Sequence, residues 1–356
     1  MKREVFHRWL ADRLAVGVDD LELDGFTTPE GVGHSNETLL VTARPRGREP
    51  LELVVRLETT GPGVFPAYDL SRQVACMRGV AAVSSVPVPN VRWLETDRSV
   101  LGRSFYVMDR IDGEVPADRM PYTLFGWFFD APAQDQRRAY ESAIDTLAAL
   151  HRLDWREAGF SFLEQPELGP LGMLQQFEHW RRYARWVTGG RPQPTIDAAG
   201  EWLTQHLPIV EPNAVTLNWG DARVSNLMFR DFTVVGVLDW EMASLGPPEV
   251  DLAWFLFFER FFSEGLGVPV LPGYPGQAAM VECYERALGR PVGDLFWYEV
   301  FAAWRQSVIL LRLADLYTAS GEFPEGNDAG QNNIATRMLA GLLDLPSPGE
   351  PGGLMG

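Results

Sequence analysis

Residues 3–16 place Phe6, Trp9, Leu10 and Leu14 at helical spacing and predict a leading helix. The period then shortens. Residues 21–26, 37–44, 51–57, 91–95 and 105–108 are short, β-branched or alternating runs and predict strands. A helical stretch, 66–78, interrupts them after a Gly/Pro turn. From residue 134 the pattern turns helical, with predicted helices over 140–150, 176–187, 195–206, 248–262, 278–288, 294–317 and 329–343. Residues 345–356, LPSPGEPGGLMG, predict a disordered tail. The chain thus reads as a strand-rich first third followed by a helix-dominated remainder.

One stretch breaks the helical run. In NWGDARVSNLMFRDFTVVGVLDWEMASLG, two β-type segments flank a predicted tight turn at Arg230-Asp231-Phe232-Thr233. A hairpin closed there sets Asn226 and Asp239 opposite each other at its open end. Cross-strand Cβ atoms lie about 5 Å apart, so one small ion can touch both side chains. Asp221 lies on the loop just before. One carboxylate beside two oxygen ligands suits Mg²⁺ bound to phosphate, because Mg²⁺ takes one or two protein oxygens and fills its shell from phosphate and water.

The spacing Asp221, Asn226, Asp239, followed by Trp240-Glu241 and Asp251-Leu252-Ala253-Trp254, resembles the aminoglycoside phosphotransferase-like family of small-molecule kinases. Within it, the chain is similar to the subgroup related to kinase domains fused to acyl-CoA dehydrogenases. The resemblance implies an α+β, protein-kinase-like fold with two lobes: an antiparallel-sheet N-lobe over 1–110 and a mainly helical C-lobe over 111–344. It also implies ATP and Mg²⁺ as cofactors and a small-molecule hydroxyl as acceptor, whether aminoglycoside-like or a hydroxylated metabolite such as a hydroxyacyl thioester. A catalytically silent nucleotide-binding protein is the alternative.

Roles follow from the resemblance, residue by residue. Asp221 orients or accepts the hydroxyl proton, and Arg223 faces the γ-phosphate. Asn226 and Asp239 hold Mg²⁺, with Glu241 behind them or as a further ligand. Asp251 receives backbone N–H groups of the catalytic loop. Arg56 stands where kinases carry a strand lysine, and a guanidinium also bridges phosphate oxygens. Its expected partner on the next helix is Gln73 or Asp69. Gly33, His34 and Ser35 form the turn over the phosphates, and backbone groups of Met108, Asp109, Arg110 and Ile111 meet the adenine edge. Trp219 stands where many relatives have histidine. His151 reads as a core residue, as do Trp180, Trp186 and Trp202.

Composition narrows the partners. The net charge is −17, which disfavours nucleic acid. No apolar run approaches the ~20 residues of a membrane helix, and the N-terminus has no signal-peptide core. The two cysteines, Cys76 and Cys283, are too far apart for a framework and read as buried thiols in a reducing cytoplasm. Acids of the C-terminal half (Glu178, Glu259, Glu264, Asp315) are interleaved with Trp180, Arg181, Arg182, Trp186, Phe258, Arg260, Trp304 and Arg305. That mixture suits a less cationic acceptor than an aminoglycoside.

Overall fold

The structure, a computed structural model, describes residues 2–27 and 37–350. Helix α1 (Lys2–Leu14) leads into five antiparallel strands: β1 (Leu21–Thr27), β2 (Glu37–Pro45), β3 (Leu51–Leu57), β4 (Val91–Glu95) and β5 (Phe105–Asp109). Their order across the sheet is β1-β2-β3-β5-β4. Helix α2 (Leu70–Val83) lies between β3 and β4, and α3 (Arg98–Leu101) between β4 and β5. Alternation gives the sheet two faces. Leu53, Val55, Phe105 and Val107 point to α1 and pack with Phe6 and Leu10. Val54 and Arg56 point the other way and pair in register with Met108 and Tyr106.

The second part is helical: α4 (Trp127–Asp130), α5 (Ala133–His151), α6 (Met173–Thr188), α7 (Pro194–Gln205), α8 (Glu249–Phe261), α9 (Gln277–Leu288), α10 (Phe296–Ser320) and α11 (Ile334–Leu342). Nearly every side chain of α8 is buried, as expected of a helix that is apolar all round. Two small ribbons sit among the helices. Strands β6 (Thr216–Asn218) and β9 (Ser244–Gly246) pair with each other, and β7 (Leu227–Arg230) pairs with β8 (Thr233–Val237). The sheet domain and the helical domain are the two lobes of a protein-kinase-like α+β fold.

Backbone bonds tie both the segment after β5 and the loop before β4 to the β7–β8 ribbon. Glu114 and Phe229 exchange N–H···O bonds at 2.8 Å each, and Val237 N–H donates to the Pro87 carbonyl (2.8 Å). Gly113 permits the first contact, since a Cβ there would lie 2.7 Å from the Phe229 carbonyl oxygen. The β3–α2 connection also rests on the helical lobe: Arg312 donates to Gly63 O (2.9 Å) and Tyr183 OH to Val64 O (3.0 Å).

Three expectations change. Helix α2 begins at Leu70 rather than Pro66, because the Asp69 side chain caps it, accepting from Arg72 N (3.0 Å). Residues 345–350 form neither helix nor strand, but the Glu350 carbonyl accepts a bond from Asn332 (3.1 Å), so this part of the expected tail packs on the helical lobe. Cys76 is buried, its thiol pushed up to about 12 by burial, whereas Cys283 is only half-buried.

Candidate active site

The loop bearing Asp221 starts at the end of β6. Gly220 has φ +93°, and a Cβ there would come within 2.0 Å of the Met242 carbonyl oxygen, so only glycine fits. Asp251, at the start of α8, accepts both preceding N–H groups: Trp219 N at 2.6 Å and Gly220 N at 2.9 Å. It is fully buried and also bonds His151 Nε2 (3.1 Å), whose Nδ1 meets Tyr284 OH (2.5 Å). The expected tasks of Asp251 and His151 are thus visible as bonds. Trp219 is equally buried, and its Nε1 donates to the carbonyls of Leu238 (2.7 Å) and Asp239 (3.1 Å).

Asp221 is itself largely buried. Its Oδ1 accepts from Trp254 Nε1 (2.8 Å), and its Oδ2 accepts from Asn226 Nδ2 (2.7 Å) and Arg223 Nε (3.1 Å). Arg223 also donates through Nη1 to Asp118 and lies over the Phe258 ring at 5.1 Å. Burial opposes the Arg223 charge, but Asp118 and Asp221 outweigh that and raise its pKa.

The hairpin closes where expected. Asp231 and Phe232 take φ values of +50° and +58° between the paired ends Arg230 and Thr233, the geometry of a type I′ turn. Phe232 has no intrinsic ease there, but its ring packs on Trp127 (5.7 Å). At the open end the register differs by one. Leu238 N–H donates to the Asn226 carbonyl (3.0 Å), so Leu238 faces Asn226, and Asp239 follows in the left-handed region at φ +55°.

These residues fit a small hard cation. Asn226 directs its amide N–H groups to Asp221 O and Oδ2, which leaves the amide oxygen as its ligand atom. Asp239 Oδ1 is buried with no hydrogen-bond partner, a state that favours a cation. Burial and the neighbouring Asp221 charge raise the Asp239 pKa, against the pull of Arg56 and Arg223. Among the described residues no three His, Cys, Asp or Glu side chains form a metal cage of their own. An Asn/Asp pair needs outside oxygens, as Mg²⁺ on phosphate supplies.

On the sheet, half-buried Arg56 donates to Thr38 Oγ1 (3.1 Å) and bonds Tyr106. Burial works against its charge, and Tyr106, Asp239 and Glu241 raise its pKa overall. Neither expected partner serves it among the described residues. Asp69 caps α2, and buried Gln73 has an unpartnered Nε2. The charges that face Arg56 lie in the Asp239–Glu241 segment. Helix α2 is tied there separately, by Arg72 donating to the Ala243 carbonyl (2.9 Å).

Between the lobes, two of the four expected adenine-facing donors are already engaged. Asp109 N–H donates to Asn90 O (3.0 Å) and Arg110 N–H to Glu52 O (2.9 Å). The Asp109 carboxylate is held by Arg92 and Asn90. Ile111 N–H bonds nothing among the described residues, and the Ile111 side chain lies beside Gly236 with Met228 and Leu238. Gly33, His34 and Ser35 lie outside the described residues.

The C-terminal mixture does not line one cleft. Glu259 is buried, accepting from Tyr122 OH (2.5 Å) and Tyr140 OH (2.7 Å). Trp304 and Arg305 are also buried, and Arg305 donates to Gly220 O (2.9 Å) from behind the loop that bears Asp221. Trp180 is core, as expected, but Trp186 is exposed and covered by Arg312 (4.7 Å), and Trp202 is half-buried on His206. Sequence reasoning missed Asp118, which sits in an aperiodic loop without a spacing signal. It also missed Trp254 as a contact of Asp221. The signal was present there: a buried indole N–H needs an acceptor.

A model of the phosphotransferase enzyme family matches residues 28–287. A probable acyl-CoA dehydrogenase of Arabidopsis thaliana is 28% identical over 312 residues, 81% of this chain but 35% of that protein. The chain therefore spans about a third of that relative's length. Among solved structures, a candidate aminoglycoside phosphotransferase from Ralstonia eutropha superposes with TM-score 0.69 at 24% identity, covering 96% of each chain. Plasmodium vivax ethanolamine kinase gives TM-score 0.57 at 12% identity, covering 94% of this chain and 86% of its own. With a kinase-like fold, the Asp221, Asn226 and Asp239 constellation and this family match, the chain belongs to the phosphotransferase enzyme family.

Proposed function

We propose that the chain transfers the γ-phosphoryl group of Mg-ATP to a hydroxyl of a small, weakly cationic or partly apolar molecule. The observation that carries this reading is the juxtaposition of the triply bonded Asp221 carboxylate with the unpartnered oxygen of Asp239. Asp221 orients the acceptor hydroxyl and takes its proton as the new O–P bond forms and ADP leaves. The reaction needs mainly positioning and charge stabilisation, so one fixed carboxylate suffices. Asn226 and Asp239 would hold Mg²⁺, which supplies charge neutralisation on the phosphates. Arg56 steadies the phosphates from the sheet. Lys2 is the chain's one lysine, so no lysine stands in for Arg56 on β3. Arg223 lies beside Asp221 with charge to offer the transferred group. The adenine occupies the groove between residues 1–110 and 111–344, near the Ile111 N–H.

For the acceptor, three of the acids that interleave with arginines and aromatics in the helical lobe are already matched. Glu178 pairs with Arg181 (2.5 Å), Asp315 with Arg191 (2.5 Å) and Glu264 with Arg260 (2.9 Å). Paired acids collect a polycation poorly. The Arabidopsis relative's name adds an acyl-CoA setting, and a hydroxyacyl thioester is the acceptor to test first. The two free cysteines support a cytoplasmic location; among the described residues no helix is long and apolar enough to cross a membrane.

The test is phosphoryl transfer from labelled Mg-ATP across a panel of hydroxyacyl-CoA thioesters, amino alcohols and aminoglycosides, with Asp221→Ala alongside. Transfer to a non-aminoglycoside hydroxyl, lost in folded, ATP-binding Asp221→Ala, is expected. Undiminished transfer in that variant removes Asp221 from the mechanism. Mg-ATP binding without transfer to any acceptor favours the silent nucleotide binder.

A further inference from the structure

Behind the catalytic loop lies an arginine that surface chemistry does not explain. Arg305, within α10, is 1% exposed. Its Nη2 donates to Gly220 O at 2.9 Å, its Nε has no partner, and among the described residues it forms no ion pair with a carboxylate. The guanidinium lies instead against ring faces, 4.1 Å from Trp254, 4.4 Å from Trp180 and 5.5 Å from Phe301. A hydrocarbon side chain of similar length would fill this volume without leaving a buried donor unmet. Burial lowers the Arg305 pKa to about 10, with Asp251 and Asp221 opposing the shift, so it is charged at neutral pH.

The ring it grips most closely is the one that reaches Asp221. Trp254 is 1% exposed on α8, lies against Phe258 at 5.0 Å and Arg305 at 4.1 Å, and donates its only N–H to Asp221 Oδ1 at 2.8 Å. Arg305 thus touches both the residue before Asp221 and the indole that holds its carboxylate. We infer that Trp254 and Arg305 are positioning residues for phosphoryl transfer: Arg305 braces Gly220 and the Trp254 ring, and Trp254 Nε1 fixes the Asp221 carboxylate so that Oδ2 faces Asn226 and Arg223. The inference rests on the proposed role of Asp221. A catalytic group displaced by about 1 Å loses on the order of 100-fold in rate. A two-atom brace against rigid helices guards against that displacement in a site where Asp239 repels Asp221.

Trp254→Phe keeps the ring and removes the donor. Arg305→Met removes the charge and the Gly220 bond, and Arg305→Lys restores a cation and a donor. ADP formation from Mg-ATP is measured with hydroxyacyl-CoA as acceptor and with water alone, together with the Kd for Mg-ATP by calorimetry, below each variant's melting temperature. Asp221→Asn is run in parallel. Expected are a fall in kcat of about 10- to 100-fold in Trp254→Phe, Mg-ATP affinity within about twofold, and partial recovery of the Arg305→Met loss in Arg305→Lys. Wild-type kcat in folded Trp254→Phe, with Asp221→Asn inactive, overturns the inference and leaves the base assignment standing. An active Asp221→Asn, or a wild-type chain that forms no ADP with any acceptor of the panel above, overturns both. If Arg305→Met does not fold, Trp254→Phe decides.

Discussion

Trp219 Nε1 donates to the carbonyl oxygen of Asp239 at 3.1 Å, having made a shorter bond to Leu238 O at 2.7 Å. The residue two before the proposed base therefore holds the backbone of the proposed metal ligand. Trp219 does structural work in this position: it fixes the Asp221 loop against the segment that carries Asp239.

Trp219→Phe keeps the buried ring and leaves those carbonyls without their donor. Unmet buried acceptors cost about 1–3 kcal/mol. Urea unfolding should show a loss of that order, and Mg-ATP should bind more weakly. A variant with wild-type stability and affinity would show that the indole N–H contributes only packing.

Asp239→Asn is the cleaner probe of the metal role, because Asn tolerates the left-handed backbone at φ +55° whereas Ala is strained there. In the proposed site Asp239 would meet the nucleotide through the ion. Affinity for Mg-ATP should fall at least about tenfold, the 1.4 kcal/mol of one lost charged contact. Affinity for ATP in EDTA should hold or improve, since a negative charge has left the site. Equal losses with and without Mg²⁺, by calorimetry, would contradict a metal ligand.

Arg56 and Asp69 separate nucleotide binding from helix stability. Asp69→Ala removes a cap and should cost about 1 kcal/mol of stability while leaving the KM for ATP unchanged. Arg56→Met should raise that KM about 10- to 100-fold, the range for a lost bond to a charged group. If Asp69→Ala raises the KM as much as Arg56→Met does, the two residues act together after all.

What the sequence disclosed depended on whether the signal was local. The hairpin was legible because β-branched runs, a four-residue turn and three oxygen-bearing side chains all fall within one short segment. The pattern starts the helix bearing Gln73 too early, because Asp69 also fits the helical spacing, whereas its side chain caps α2. Asp-Leu-Ser-Arg ahead of an apolar run is itself an N-cap signal. Asp118 reaches Arg223 only through tertiary packing, and no spacing rule marks it. Arg305 looked like a cleft residue because charge suggests exposure. Its setting, AAWRQSVILL in a helix apolar on both sides, was the clue that the guanidinium is buried.

Glu259 gives the chain a stability that depends on pH. Burial raises its pKa from 4.5 to about 7, although the Tyr122 and Tyr140 hydroxyls favour the charged form. The folded state therefore holds a proton that the unfolded chain releases at lower pH. The sign follows: this stabilisation is complete below about pH 4.5 and is lost as pH rises through about 7. The full effect is about 3 kcal/mol at 1.36 kcal/mol per pKa unit, most of it falling between pH 5 and 8. Glu259→Gln cannot ionise and removes this slope. Its stability relative to wild type, from urea unfolding, should thus improve steadily from pH 5 to 8. Parallel pH profiles for the two proteins would show that Glu259 ionises in the folded state as readily as it does in water.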